Sequence, residues 1–103
     1  MCIDPEKAER WHMRVIWTRH AEERQEEWWK KLGITRQEVE DVLNAPDQVV
    51  PGDFGAWVAQ ARRGAGLLRV VFMEVEAGRK ILTVYWTSKV EKYWREEQDA
   101  NPL

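Results

Sequence analysis

The hydrophobic pattern changes period twice along the chain. Arg14 to Thr18 alternates weakly and is rich in β-branched and aromatic residues (Val15, Ile16, Trp17, Thr18), which predicts a first strand. From Arg19 to Leu32 the inward positions become Ala21, Gln25, Trp28 and Leu32, spaced i, i+4, i+7 and i+11, with Glu22, Glu23, Glu26 and Glu27 on much of the remaining surface. That is an amphipathic helix, and Gly33 ends it. Thr35 and Glu38 form the T-x-x-E start of a second helix, which turns Val39, Val42 and Leu43 inward and stops at Asn44-Ala45-Pro46. Upstream, Asp4-Pro5-Glu6-Lys7 predicts a short helix to about Trp11, outside the main domain.

The second half alternates with period two. Val49-Val50 precedes a Pro51-Gly52-Asp53 turn, and runs over 56–62, 67–75 and 79–87 are separated by Gly-containing turns, so a β-meander is expected. A three-residue loop ending in Gly78 pairs Val75 with Arg79 and sets Leu68, Val70 and Phe72 beside Trp86, Val84 and Leu82. A two-residue loop at Gly64-Ala65 brings Trp57, Ala59 and Ala61 onto the same apolar face, and a one-residue slip in either hairpin would mix the faces. The opposite face then carries Gln60, Arg69 and Tyr85 in one row and Val58, Val71 and Thr83 in the next. With two helices available, one sheet face is covered and the other is left wholly or partly open.

The expected fold class is α+β: a strand, two helices, an antiparallel meander packed on them and a short C-terminal helix. Its organisation is an N-terminal extension over residues 1–13, one domain over 14–95 and an acidic tail over 96–103. At 103 residues with 44% hydrophobic content, the chain can bury one core. The lone Cys2 can form no internal disulfide, and no apolar run has signal-peptide or membrane-spanning length, which points to a reduced cytoplasmic protein without membrane partners. Seven tryptophans exceed what one small core usually hides, so some are expected to face a partner or a second copy of the chain.

Charge is unevenly spread: residues 1–56 carry 8 basic and 12 acidic side chains, 57–95 carry 8 and 3, and 96–103 carry 0 and 3. The net −2 thus conceals a basic segment suited to an anionic partner. One Cys with His12 and His20 makes no metal-ligand cluster, Gly64-Ala65-Gly66 joins two strands and is no phosphate loop, and Ser88 lies outside any nucleophile pattern. No metal site or cofactor is expected.

The remaining chemistry lies in Arg, Lys, Tyr and His side chains. His20 sits in the first turn of the first helix, an imidazole able to accept a proton, and Arg24 shares its helix face, where Glu23 and Glu27 offer a plain ion pair instead. Arg69 and Tyr85 are cross-strand neighbours that either converge on a ligand or simply stack. Beyond the last strand, Val90 and Trp94 read as docking contacts, leaving Lys89 and Tyr93 to point elsewhere together. Gln60, Arg62 and Arg69 are the candidate RNA contacts on the open face.

Three segments together, Arg19-His20-Ala21 with Arg24, Gly33-Ile34-Thr35 with Val39, and Leu68 to Phe72 followed by Leu82 to Lys89, resemble a small domain family related to the BrnT and RelE/ParE toxins of bacterial toxin-antitoxin systems. The similarity spans about residues 14–95. It implies a RelE-like fold and a metal-independent endoribonuclease that, like RelE, cuts mRNA on the ribosome and is held inactive by a cognate antitoxin, with RNA or the ribosome as its partner. In the implied reaction the ribose 2′-hydroxyl attacks phosphorus, with His20 or Lys89 as base, Tyr93 or Tyr85 as acid, and Arg69 with Arg24 stabilising the charge. The acidic net charge departs from the strongly basic RelE pattern. It keeps two other readings open, a non-catalytic binding or oligomerising module and a ParE-like topoisomerase inhibitor.

Overall fold

The computed structural model describes residues 14–96; the expected helix near Trp11 and nearly all of the acidic tail lie outside them. The chain runs β1 (Val15–Trp17), α1 (Arg19–Leu32), α2 (Arg36–Asn44), β2 (Gln48–Pro51), β3 (Trp57–Arg63), β4 (Gly66–Val75), β5 (Gly78–Thr87) and a single helical turn α3 (Val90–Tyr93). One five-stranded sheet forms in the order β1-β5-β4-β3-β2, with β1 parallel to β5 and every other pair antiparallel. The protein is therefore α+β. Among the described residues no helix is long and apolar enough to cross a membrane.

The helix ends are set by local chemistry. Thr18 caps α1 by accepting from the Ala21 amide, and its hydroxyl also donates to the Ile81 carbonyl at 2.8 Å, which ties the helix start to β5. Gly33 closes α1 at φ 71° with its amide donating to the carbonyls of Trp28 and Trp29. Thr35 accepts from the Glu38 amide at 3.0 Å, as the sequence predicts. The reciprocal half of that capping box is not made, because Glu38 is taken by the Arg63 guanidinium at 2.7 Å, a link from α2 to the end of β3.

Ala21, Ile34, Val39, Val42 and Leu43 pack against Ala59, Leu68, Val70, Phe72, Ile81 and Val84 to form the core, with Trp17, Trp28 and Trp86 at its margin. Leu32, expected inside, is exposed at the C-terminal end of α1, and Trp29 on α1 and Trp57 on β3 are exposed as well.

The β3–β4 register holds along the whole ladder, from Trp57 opposite Phe72 to Arg63 opposite Gly66. In β4–β5 the expected register holds from Leu67–Thr87 to Val71–Thr83 and then shifts by one, so Phe72 faces Ile81 and Val75 faces Gly78. The hairpin loop is two residues, Glu76-Ala77, not three, and Leu82 is absorbed in a bulge. Gly78 (φ 146°) is a glycine because β1 enters there: the Arg79 amide donates to the Arg14 carbonyl at 2.8 Å, and a Cβ on Gly78 would collide with that carbonyl. The bulge restores the period, keeping Arg69 opposite Tyr85.

Candidate functional site

Even-numbered β4 residues (Leu68, Val70, Phe72) belong to the helix-covered core, so Arg69 and Val71 project from the other, far face. There Gln48, Gln60, Arg69 and Tyr85 occupy one row across β2, β3, β4 and β5. The far face is only partly open, one of the two expected outcomes, because the segment after β5 crosses it. The chain returns from β5 over β4 and β3 toward β2, and the backbone at 93–95 is held by two amide side chains.

Gln60 is fully buried (0% exposed) and spends all of its polar capacity inward. Its Nε2 donates to Gln48 Oε1 at 2.8 Å and to the Tyr93 carbonyl at 3.1 Å, while its Oε1 accepts from Arg69 Nε at 2.8 Å. Gln48 reads the Arg95 backbone as a neighbouring strand would, accepting from its amide at 3.0 Å and donating to its carbonyl at 2.6 Å. Gln60 is thus a positioning residue and not the RNA contact expected of it, because the C-terminal segment lies over it.

This clamp sets the Tyr93 ring over Arg69, whose Cζ is 4.0 Å from the ring centroid. The Tyr93 ring meets Tyr85 edge-on at 6.4 Å and 72°, and Lys92 Nζ lies 5.2 Å from the Tyr93 centroid. Arg69 Nη1 donates to the Tyr85 hydroxyl. The phenol keeps its own proton to donate, with the Tyr93 hydroxyl as a neighbouring acceptor. Burial, the largest influence, pushes the Tyr85 phenol above its ordinary value, against the opposing pull of Arg69, so the group is held as a proton donor.

Arg69 is 6% exposed, yet its side-chain partners are an amide and a phenol, and among the described residues no carboxylate lies within ion-pair distance of it. A guanidinium is a permanent cation, so this one is desolvated without being neutralised. It borders a cleft of about 520 Å³ that opens between the β2–β3 turn (Pro51 to Asp53) and Thr83, Tyr85 and Tyr93. An anionic oxygen placed about 4 Å from that charge gains roughly 4 kcal/mol at an effective dielectric of about 20, before its own desolvation is subtracted. Among the described residues, Asp53 is the one carboxylate lining this cleft.

The other expected site residues lie elsewhere. His20 and Arg24 are on α1, which packs on the opposite face of the sheet, and the Arg24 guanidinium pairs with Glu27 at 2.7 Å, the plain alternative for it. Lys89 is exposed and lines a separate cleft with Ser88, Val90 and Lys92. It does not share a direction with Tyr93, because Tyr93 turns inward onto Arg69. Arg62 is on the far face, its Cζ 4.3 Å from the Trp94 centroid, which fixes Trp94 as a docking contact and leaves Arg62 exposed near the clamp. Sequence reasoning missed Gln48, Asp53 and Lys92. The signal for Gln48 would have been the β2–β3 register, which no turn of standard length announces. Among the described residues no three His, Cys, Asp or Glu side chains cluster as a metal site would require. A scan of family models, a search of curated proteins and a search of solved structures each returned no match to this chain.

Proposed function

We propose that the protein is a toxin-like endoribonuclease of the RelE/BrnT kind that grips an RNA phosphodiester in the far-face cleft and cleaves it without a metal. The observation that carries this reading is Arg69, a desolvated cation between two phenols with no carboxylate within ion-pair distance among the described residues. Such a group costs stability unless something anionic completes it. The resemblance to the toxin family, resting on the segments around His20, Ile34, Arg69 and Tyr85, supports the same substrate class.

The chemistry follows from what lines the cleft. Arg69 holds a non-bridging phosphate oxygen and stabilises the charge that grows in the phosphorane. The 2′-oxygen attacks phosphorus as its proton passes to the Asp53 carboxylate, which takes the base role expected of His20 or Lys89. The bond to the 5′-oxygen breaks as the Tyr85 phenol gives it a proton, leaving a 2′,3′-cyclic phosphate and a 5′-hydroxyl. Tyr93 excludes water from one side of the site. A cognate antitoxin would find the free edge of β2 and the exposed Trp57 beside it available for strand addition.

The deciding experiment incubates the full chain with single-stranded RNA in excess EDTA and analyses the ends. Cyclic phosphate ends that vanish in Arg69→Gln and in Tyr85→Phe support the reading; intact RNA overturns the cleavage step. A second reading, binding without cleavage, is favoured by the separation of His20, Arg24 and Lys89 from the cleft, and tight RNA binding with no scission would establish it.

A further inference from the structure

The β2–β3 connection carries a feature that fold stability does not explain. Asp53 to Ala56 is a tight turn closed by the Ala56 amide donating to the Asp53 carbonyl at 3.0 Å, with φ 54° at Phe54 and 82° at Gly55. Positive φ at both central residues is the type I′ pattern, whose first central position suits Asn, Asp or Gly. Phe54 is the only non-glycine among the described residues in left-handed backbone, and it is 98% exposed. A large apolar ring here is both strained and solvated. Neither the core nor the turn has use for it.

Its position does have a use. Asp53, the preceding residue, lines the Arg69 cleft, so the turn that carries Phe54 adjoins the cleft, while the ring itself is in solvent. Val58, just after the turn rejoins β3, lines the cleft on the Arg69 face and is two residues from Gln60 in the Arg69 row, roughly 7 Å along the strand. That span lies within the reach of a nucleotide or two from a phosphate held on Arg69. A bare aromatic face beside a desolvated cation is the combination that single-stranded nucleic acid requires, since every base has a face to stack and a phosphate to neutralise.

We infer that Phe54 is a stacking platform for an unpaired base of an RNA strand whose phosphate sits on Arg69, an inference that rests on the RNA reading of the cleft. The platform reads no base edge, so it predicts tolerance of base identity. A protein partner taking the same ring is the competing occupant; the Arg69 guanidinium, which has no carboxylate within ion-pair distance among the described residues, favours the polyanion.

The test uses the full chain and labelled single-stranded RNA with 2′-O-methyl riboses, which cannot be cleaved, alongside the same oligomer carrying abasic sites, both followed by fluorescence anisotropy. Wild type is expected to bind the base-bearing strand about tenfold tighter than the abasic one. Phe54→Asn should bind both at the abasic level, and Phe54→Trp should keep the difference. Because Asn suits the turn, Phe54→Asn should melt no lower than wild type, a readout that separates loss of a contact from loss of structure. Base-bearing RNA held equally well by Phe54→Asn and wild type overturns the stacking role while leaving the cleft reading intact. Loss of self-association in Phe54→Asn at unchanged RNA affinity overturns it in favour of a protein occupant. Failure of wild type to bind either strand overturns both.

Discussion

Replacing Gln60 by Leu tests whether the far face is a coupled polar network. Gln60 makes three hydrogen bonds at zero exposure, to Arg69, Gln48 and the Tyr93 carbonyl. Leucine fills much of the same volume but leaves Arg69 Nε and the Tyr93 carbonyl without those partners. Each orphaned buried group costs about 1–3 kcal/mol and a charged one more, so the variant should lose about 3–5 kcal/mol. For a domain of this size that is a Tm fall of at least ~12 °C. The Arg69→Leu change should cost less, because it removes the desolvated charge while orphaning only Gln60 Oε1 and the Tyr85 hydroxyl. The double Leu variant should be more stable than the sum of the singles by about 1–3 kcal/mol, since it deletes the pair together. Urea unfolding followed by tryptophan fluorescence gives all four stabilities. Additivity within about 0.5 kcal/mol, or a Gln60→Leu variant as stable as wild type, would refute the network.

Gly66→Ala should fail to accumulate as folded protein or lose about 3 kcal/mol or more by denaturation, because a Cβ there would lie 2.6 Å from the Trp86 ring and closer still to the Thr87 carbonyl. Tyr85 titrates above the unfolded phenol value near 10. The unfolded chain therefore releases its proton first: the contribution is whole below about pH 10 and is lost as pH rises through that value toward the folded one. Urea midpoints measured from pH 8 to pH 11 should accordingly fall less steeply in Tyr85→Phe than in wild type. His20→Ala and Lys89→Gln should leave RNA binding and scission within about twofold of wild type in the EDTA assay, because neither group lines the Arg69 cleft.

What could be read in advance depended on how local the determinant was. The bounds of α1, the Thr35 cap and the β3–β4 ladder follow from signals a few residues apart, and the Arg69–Tyr85 pairing follows from hairpin register. The register near Gly78 was misread because its glycine answers to the Arg14 carbonyl, more than sixty residues away in sequence. The expected grouping of His20 and Arg24 with Arg69 carried its own objection: if helices cover the apolar face, a residue of opposite parity on β4 must face away from them. Tyr93 joining the site was not legible, because only the Gln48 and Gln60 clamp turns it inward, and that clamp needs β2 to lie beside β3. Phe54 stood in the sequence as an ordinary turn neighbour; its exposure and backbone conformation became visible only with the fold.

The path of residues 88–95 across the sheet bears on when the protein becomes competent. Tyr93 is seated by amides from β2 and β3, the edge of the sheet farthest from β1, so the cleft has no complete wall until both hairpins have paired and the closing segment has emerged from the ribosome. An unfinished or prematurely terminated chain would hold Arg69 and Tyr85 on a naked sheet with half their surroundings missing. Closure of the cleft is thereby made conditional on the whole sheet, because Tyr93 can settle on Arg69 only after β2 and β3 lie side by side.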